Sequence, residues 1–87
     1  MKEQEVVIGH RLGIHARAAA RLVQLSSKFE SSIVLFRSDS SNSMEADARS
    51  ILSILLLSAA YGSKVGVRAS GADEEQAVES ICEYLTG

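Results

Sequence analysis

Two kinds of hydrophobic periodicity alternate along this chain, and their order limits the folds that it can adopt. Residues 6–8 and 33–36 are short, apolar and largely β-branched, which predicts two largely buried strands. Two further strands are predicted in segments 44–49 and 64–69, where apolar residues alternate with polar ones or glycine. The alternating apolar positions are Met44, Ala46, Ala48, Val65, Val67 and Ala69.

Two amphipathic helices are predicted from apolar residues at helical spacing. One begins near His15, and the other begins behind Asp73, which is expected to cap it together with Gln76 three positions later. Their apolar stripes consist of Ala19, Leu22, Val23 and Phe29 in the first, and of Val78, Ile81, Cys82 and Leu85 in the last.

A third helix is predicted between them, from about Ser50 to Tyr61, just before Gly62. Its apolar residues cover more of the helix circumference than one core face requires, so some of them are expected to face solvent. These residues are Ile51, Leu52, Ile54, Leu55, Leu56 and Leu57.

The order βαββαβα with short connections predicts an α+β fold, an open-faced β-sandwich. Its four-stranded antiparallel sheet is expected to carry all three helices on one face. The chain has no proline, repeat or low-complexity linker, and the polar stretch from Ser38 to Ser43 is short enough to be a turn. We therefore expect residues 1–87 to form a single domain.

Composition narrows the class of function. With 87 residues the chain can build one small core and no deep chamber, so its chemistry is expected on the surface. Its single cysteine and polar start favour a cytoplasmic protein, and no apolar run approaches the length of a membrane span. A net charge of −2, without aromatic residues interleaved with the arginines, argues against nucleic acid as a partner.

His15 lies where a loop is predicted to turn into a helix, and Arg17 follows it within one turn. The first backbone N–H groups of a helix lack partners, and the helix dipole is positive there, so a phosphoryl group on the imidazole would find donors. These would be the amides of Ala16 and Arg17, with the Arg17 guanidinium beside them. Arg21, one turn later, would extend a basic patch toward an acidic partner. The alternative is that His15 is an N-cap or surface histidine without chemistry.

Other combinations of side chains give only weak indications of a metal, cofactor or partner site. His10, His15 and Cys82 lack a compact metal-ligand spacing, and Cys82 falls on the buried stripe of the last helix, so we expect no metal site. His10 is expected in the loop before His15, with at most a contact to a partner. No phosphate-binding glycine loop is present, and we expect no cofactor.

The stretch GIHAR at residues 13–17 resembles the phosphorylation motif of HPr proteins, the histidine carriers of the bacterial phosphoenolpyruvate phosphotransferase system. Further similarity runs through residues 22–23, 27–29 and 71–75. The resemblance implies that His15 accepts phosphate at Nδ1 from phosphoenolpyruvate-charged enzyme I and passes it to a IIA component. Arg17 matches the family's phosphate-supporting arginine. Such a chain is a carrier, expected as a monomer, rather than a stand-alone enzyme.

The resemblance also implies roles in the middle helix. Ile51, Leu52 and Leu55 correspond to the apolar patch that the family presents to both partners, although the excess of apolar residues leaves open that all three are core. Ser50 matches the position that a dedicated ATP-dependent kinase, the HPr kinase/phosphorylase, phosphorylates in many members. Simple N-capping is the competing role for Ser50, and the two roles could coexist.

Two departures separate the chain from the commonest pattern of the family. Ala18 stands where most members have proline, for which we expect modest loosening of the first turn. The segment from Arg37 to Ala48 is longer than usual and closer to the nitrogen-related branch, so sugar uptake and nitrogen-type regulation both remain open. The alternative function is a regulatory module of the same fold that docks on a transcription factor or enzyme and is modulated at Ser50. A purely structural domain would leave the basic helix start unexplained.

Overall fold

The computed structural model describes residues 1–38 and 44–87, and within these ranges its elements follow the predicted order. The strands are β1 (Lys2–Val7), β2 (Ser32–Arg37), β3 (Glu45–Asp47) and β4 (Lys64–Ser70). The helices are α1 (Ala16–Ser26), α2 (Ile51–Leu56) and α3 (Glu74–Leu85). The strands form one antiparallel sheet in the order β1-β4-β2-β3. The predicted α+β open-faced sandwich is confirmed.

The hydrophobic core lies between the sheet and the helices. Helix α3 packs against β1 and β4, while α1 contacts both α2 and α3. Every second residue of β4 faces this core, because Val65, Val67 and Ala69 are all at most 1% exposed, as their alternation predicts. The bulkiest fully buried side chains come from all parts of the chain: Ile8, Leu22, Leu35, Ile54, Ile81 and Leu85.

The last helix buries the stripe that its spacing predicts. Val78, Ile81, Cys82 and Leu85 are all at most 4% exposed. Burial raises the pKa of the Cys82 thiol to about 11, because a thiolate would lose its hydration in the core. Cys82 is therefore a packing residue, and its thiol is unreactive while the chain is folded.

The opposite face of the sheet carries a small polar cluster around Arg68. Its guanidinium donates to Glu45 at 2.9 Å and to Glu3 at 3.2 Å, which ties both edge strands to β4. The Arg68 guanidinium also lies 5.0 Å from the centre of the Phe36 ring. That ring covers Gly66, where an added Cβ would come within 2.1 Å of Phe36 Cζ.

The first strand differs from its prediction. It begins at Lys2, four residues before the predicted segment, and Ile8 follows it as a fully buried residue. The prediction of a largely buried strand is wrong, since Val7 is 49% exposed and residues 2–5 face solvent. Val7 is exposed between buried Val6 and Ile8 because it points to the sheet face opposite the core, and β1 is an edge strand with a neighbour only in β4.

The other strand and turn predictions need smaller corrections. Met44 lies before β3 and is 42% exposed, because the strand covers only Glu45–Asp47. Apart from Ser38, the predicted turn from Ser38 to Ser43 lies outside the described residues. Within the described ranges, no helix has the length and apolar character that crossing a membrane requires.

Two helices are shorter than predicted. Helix α2 ends at Leu56 instead of near Tyr61, because Ser58 adopts a left-handed conformation, with a φ of +55°, that a helix cannot continue. The Ser58 carbonyl accepts a hydrogen bond from Arg37 Nη1 at 3.0 Å. Helix α1 ends at Ser26, so Phe29 packs against the core from the following loop.

The predicted capping pair at the start of α3 is wrong. Asp73 occupies the N-cap position, but its side chain makes no capping bond. It accepts hydrogen bonds from the amides of Glu30 at 2.9 Å and Ser31 at 3.0 Å, and from the Ser31 hydroxyl. The Ser31 hydroxyl and these amides lower the pKa of Asp73, because they stabilise its charged form. A tertiary contact has replaced the local one.

Candidate functional site

His15 lies at the start of α1, where the sequence predicts it, and it is the N-cap residue of that helix. Its backbone is extended, with φ −86° and ψ −175°, and its carbonyl accepts the first helical hydrogen bond, from the Ala19 amide at 2.8 Å. The exposed imidazole accepts a hydrogen bond at Nδ1 from the Arg17 amide, at 3.3 Å. An accepting Nδ1 must carry a lone pair, so the proton of the neutral ring lies on Nε2.

The loop before His15 is held by backbone hydrogen bonds. The Gly13 amide donates to the His10 carbonyl at 2.8 Å, and the Ile14 amide donates to the Ala59 carbonyl at 2.9 Å. Gly13 has a φ of +71°, and a Cβ there would lie 2.8 Å from the Ala59 carbonyl oxygen. Only glycine fits this turn without strain, and the connection after α2 fixes where the loop enters α1.

The surroundings of His15 are suited to an anion. Arg17 and Arg21 are exposed, and across residues 1–38 and 44–87 neither guanidinium makes a hydrogen bond or ion pair. The first turn of α1 contains no acidic residue to neutralise the helix dipole. The two arginines share an open depression, whose lining residues are His10, His15, Arg17, Ala18, Arg21 and Tyr84.

The sequence predicts for His10 only a loop position with at most a contact to a partner. The structure places it in the lining of this depression. Its Nε2 lies 2.7 Å from the carbonyl oxygen of Tyr84 near the end of α3, so this nitrogen carries a proton and donates. The two rings are also in contact, with their centroids 4.9 Å apart. No spacing in the sequence indicates this contact, because it joins opposite ends of the chain.

The apolar residues of α2 divide differently from the prediction. Ile51 and Leu52 are 42% and 67% exposed, and Leu56, at 59%, lies one turn after Leu52. Leu55 is half-buried and packs against the core. The exposed patch therefore consists of Ile51, Leu52 and Leu56, and we call these three residues the α2 patch. Leu12, in the loop before His15, is 83% exposed and was not singled out in the sequence.

Ser50 is the N-cap of α2. Its hydroxyl oxygen accepts a hydrogen bond from the Ser53 amide at 3.3 Å, and the residue is half-exposed. This geometry supports the capping role, and phosphorylation of Ser50 stays a prediction. Among the described residues, no group of three or more His, Cys, Asp or Glu side chains is arranged to hold a metal ion.

Comparisons with known proteins place these features in a family. The family described as "PTS HPr component phosphorylation site" matches residues 2–86. The chain is 41% identical over 85 residues to the phosphocarrier protein HPr of Xylella fastidiosa (strain 9a5c), covering 98% of this chain and 91% of the relative. It is 37% identical over 78 residues to the phosphocarrier protein NPr of Proteus mirabilis (strain HI4320), covering 90% and 83% of the two chains.

A solved structure shows the same architecture. The crystal structure of HPr-C-His from Thermoanaerobacter tengcongensis aligns with a TM-score of 0.86 at 35% identity, covering 98% of this chain and 91% of that one. Relatives of both the HPr and the NPr type match nearly the whole chain. The chain therefore belongs to the HPr family of phosphocarriers of the phosphotransferase system.

Proposed function

We propose that this single-domain chain works in the cytoplasm as a carrier that accepts a phosphoryl group on His15 from phosphoenolpyruvate-charged enzyme I. It then passes the group to a IIA component. The observation that carries the proposal is that the exposed His15 imidazole caps the start of α1, with its Nδ1 accepting a hydrogen bond from the Arg17 amide at 3.3 Å. Family membership supports the same chemistry. The chain turns over no small molecule alone.

The chemistry at His15 is a nucleophilic displacement in each direction. The Nδ1 lone pair attacks phosphorus, an N–P bond forms, and the donor's bond to phosphorus breaks with its electron pair leaving to the donor. The proton on Nε2 stays on the ring, which becomes positively charged until solvent removes that proton. Transfer to the acceptor reverses these steps, with the ring as the leaving group.

The groups around Nδ1 are arranged to stabilise the transferred charge. Once Nδ1 is bonded to phosphorus, the Arg17 amide loses its acceptor there and becomes available to a phosphoryl oxygen. The Ala16 amide, the first of the helix, adds a donor of the same kind. The Arg17 guanidinium, which makes no bond in the described part of the chain, supplies a charged fork.

Docking of the two partners is assigned to two surfaces, the α2 patch and the depression that contains His15. The α2 patch offers apolar contact, with Leu55 supporting it from below. Arg17 and Arg21 offer positive charge toward acidic groups of a partner. An apolar patch together with arginines whose guanidinium groups make no bond among the described residues favours partners that present both apolar side chains and carboxylates.

The test of the carrier role is labelling with enzyme I and phosphoenolpyruvate. The chain is expected to gain an acid-labile, base-stable phosphate that His15→Ala abolishes, and mass spectrometry should place it on the peptide containing His15. Arg17→Ala should keep the fold and slow the transfer by roughly tenfold or more, because a hydrogen bond to a charged group contributes about 1.5–3 kcal/mol. Absence of label on the wild-type chain would refute the carrier role.

The docking role is tested by Leu52→Glu, which places a carboxylate in the exposed α2 patch. We expect affinity for enzyme I and for the IIA component to fall by roughly tenfold or more, because the charge must be desolvated on docking. Gln76→Glu, at an exposed position of α3, adds the same charge away from the patch, and this variant should bind like the wild type. Equal affinities for both variants would place Leu52 off the interface.

A second candidate function is regulation through Ser50, by a phosphate added to its hydroxyl by an ATP-dependent kinase. The favouring observation is that Ser50 is half-exposed directly before two exposed residues of the α2 patch. A phosphate there would place negative charge beside Ile51 and Leu52 and weaken docking. The kinase should label the wild type and leave Ser50→Ala unlabelled, whereas equal labelling would exclude Ser50 as its site.

A further inference from the structure

His10 makes a tertiary contact that takes no direct part in the bond-making and bond-breaking steps at His15. It is half-buried, and its Nε2 donates to the Tyr84 carbonyl oxygen at 2.7 Å. Its ring also packs on the Tyr84 ring at 4.9 Å, with 44° between the ring planes. Both contacts fix the ring of a residue that lines the same depression as His15.

The loop that contains His10 is fastened at its ends and exposed in its middle. The Gly9 amide donates to the Leu85 carbonyl, and the Ile14 amide donates to the Ala59 carbonyl, each at 2.9 Å. Arg11 and Leu12 between these anchors are exposed. Among the described residues, no backbone hydrogen bond joins the stretch between these two anchors to another element. The His10 side chain therefore restricts the part of the loop that the backbone leaves free.

His10 is joined to the turn that leads into His15. Its carbonyl accepts from the Gly13 amide at 2.8 Å, while its ring holds the Tyr84 carbonyl. The Tyr84 carbonyl also accepts from the Gly87 amide at 3.2 Å, so the imidazole N–H uses its second lone pair, at the negative end of the α3 dipole. One residue thus connects the turn before α1 to the end of α3.

We propose that His10 is a positioning residue for the carrier reaction. Through its bond to the Tyr84 carbonyl it holds the turn at Gly13, and thereby keeps His15 Nδ1 at the start of α1. The inference rests on the proposed role of His15 and extends it. Without the tether, the turn samples more conformations, and a smaller fraction of encounters with enzyme I finds the imidazole aligned.

The experiment compares His10→Asn with His10→Gln. The Gln amide nitrogen lies as many bonds from Cα as His Nε2 does and can reach the Tyr84 carbonyl, whereas the shorter Asn amide cannot. In phosphoryl transfer from enzyme I, we expect His10→Asn to lower kcat about tenfold with KM nearly unchanged, and His10→Gln to recover most of the loss. Amide exchange at Gly13, measured on the unphosphorylated chain, should be about tenfold faster in His10→Asn alone.

Each alternative outcome overturns the inference. Wild-type rates and wild-type Gly13 exchange in both variants would show that the tether does nothing. Equal impairment of both variants would assign the effect to the ring, and a rise in KM alone would assign His10 to docking. If the wild type itself takes no label, the carrier proposal fails; Gly13 exchange still tests the tether, and equal exchange in the two variants refutes it.

Discussion

Helices α1 and α3 begin in opposite ways. At the start of α3, Glu74 accepts from the Gly71 amide at 3.2 Å and pairs with the Met1 amine at 2.8 Å, and Glu75 adds a second acid in the first turn. The Met1 amine and the Gly71 amide lower the pKa of Glu74. At the start of α1, the first turn has no acidic residue, and His15 Nδ1 is the side-chain acceptor that caps it among the described residues.

The first turn of α3 carries its own acidic side chains, whereas the first turn of α1 has none and can accept an external anion. Acidic side chains near a helix N-terminus stabilise it, because they offset the positive end of the dipole. In α3 the chain supplies this charge, whereas in α1 it adds the exposed cations Arg17 and Arg21 instead. An anion that arrives on His15 takes the place that Glu74 and Glu75 fill in α3.

The largest effect is expected from an acidic residue introduced into the first turn of α1. Ala16→Glu places a carboxylate in the first turn, where it stabilises the helix by about 0.5 kcal/mol. We expect transfer from enzyme I to slow on the order of tenfold or more, because the carboxylate repels the incoming phosphoryl group. Stopped-flow transfer kinetics and thermal unfolding measure the two effects.

The control for Ala16→Glu is Gln24→Glu, an exposed site two turns further along the same helix. It adds the same charge, but the dipole effect falls off beyond the first turn, so transfer should stay within about twofold of the wild type. If both variants are slowed equally, the helix start is not what the phosphoryl group uses.

The second substitution tests the start of α3, where Asp73 accepts hydrogen bonds from Ser31. Ser31→Ala removes a fully buried hydroxyl that donates to Asp73, and we expect the free energy of unfolding to fall by about 1.5 kcal/mol. Because this bond lowers the folded-state pKa of Asp73, its contribution is complete above the unfolded pKa of about 4 and is lost as the pH falls through the lower folded value.

Denaturant unfolding at several pH values measures this dependence. The stability difference between Ser31→Ala and the wild type should be largest from about pH 5 upward and should narrow toward pH 2. Phosphoryl transfer should be unchanged, since Ser31 contacts Asp73 at the start of α3 and not the His15 site. A difference that stays constant with pH would mean that the hydroxyl acts without the Asp73 charge.

The smallest effect is expected at the third helix start, where Ser50 caps α2. Its bond to the Ser53 amide is long, at 3.3 Å, and the helix has only six residues. Ser50→Ala should therefore cost about 0.5 kcal/mol, at the low end for N-caps, while Ser50→Asp should keep the cap. Denaturant unfolding would contradict the capping role if Ser50→Ala were as stable as Ser50→Asp.

Much of the fold could be predicted because its signals are local. Alternation in β4 and the stripe of α3 report directly which residues face the core, and both predictions are confirmed. The end of α2 could not be predicted, because the apolar run continues through Leu57 while the backbone turns left-handed at Ser58. Hydrophobicity carries no information on that conformation.

The site shows the same division. His15 at the start of α1 follows from the local pattern around residues 13–17, and the structure places it there. The contacts of Asp73 with Ser31 and of His10 with Tyr84 join residues far apart in the chain. Spacing within one segment cannot indicate such partners. The exposure of Leu56 and the half-burial of Leu55 likewise depend on how α2 is rotated against its neighbours.

The Phe36 ring lying on Gly66 has a consequence for how this sequence can change over time. Any side chain at position 66 collides with the ring, since even a Cβ would approach Phe36 Cζ to 2.1 Å. A change at Gly66 therefore requires the Phe36 ring to swing aside or the residue at position 36 to become smaller, and either one removes the ring beside Arg68. Among descendants of this sequence, substitutions at positions 36 and 66 are expected to be correlated.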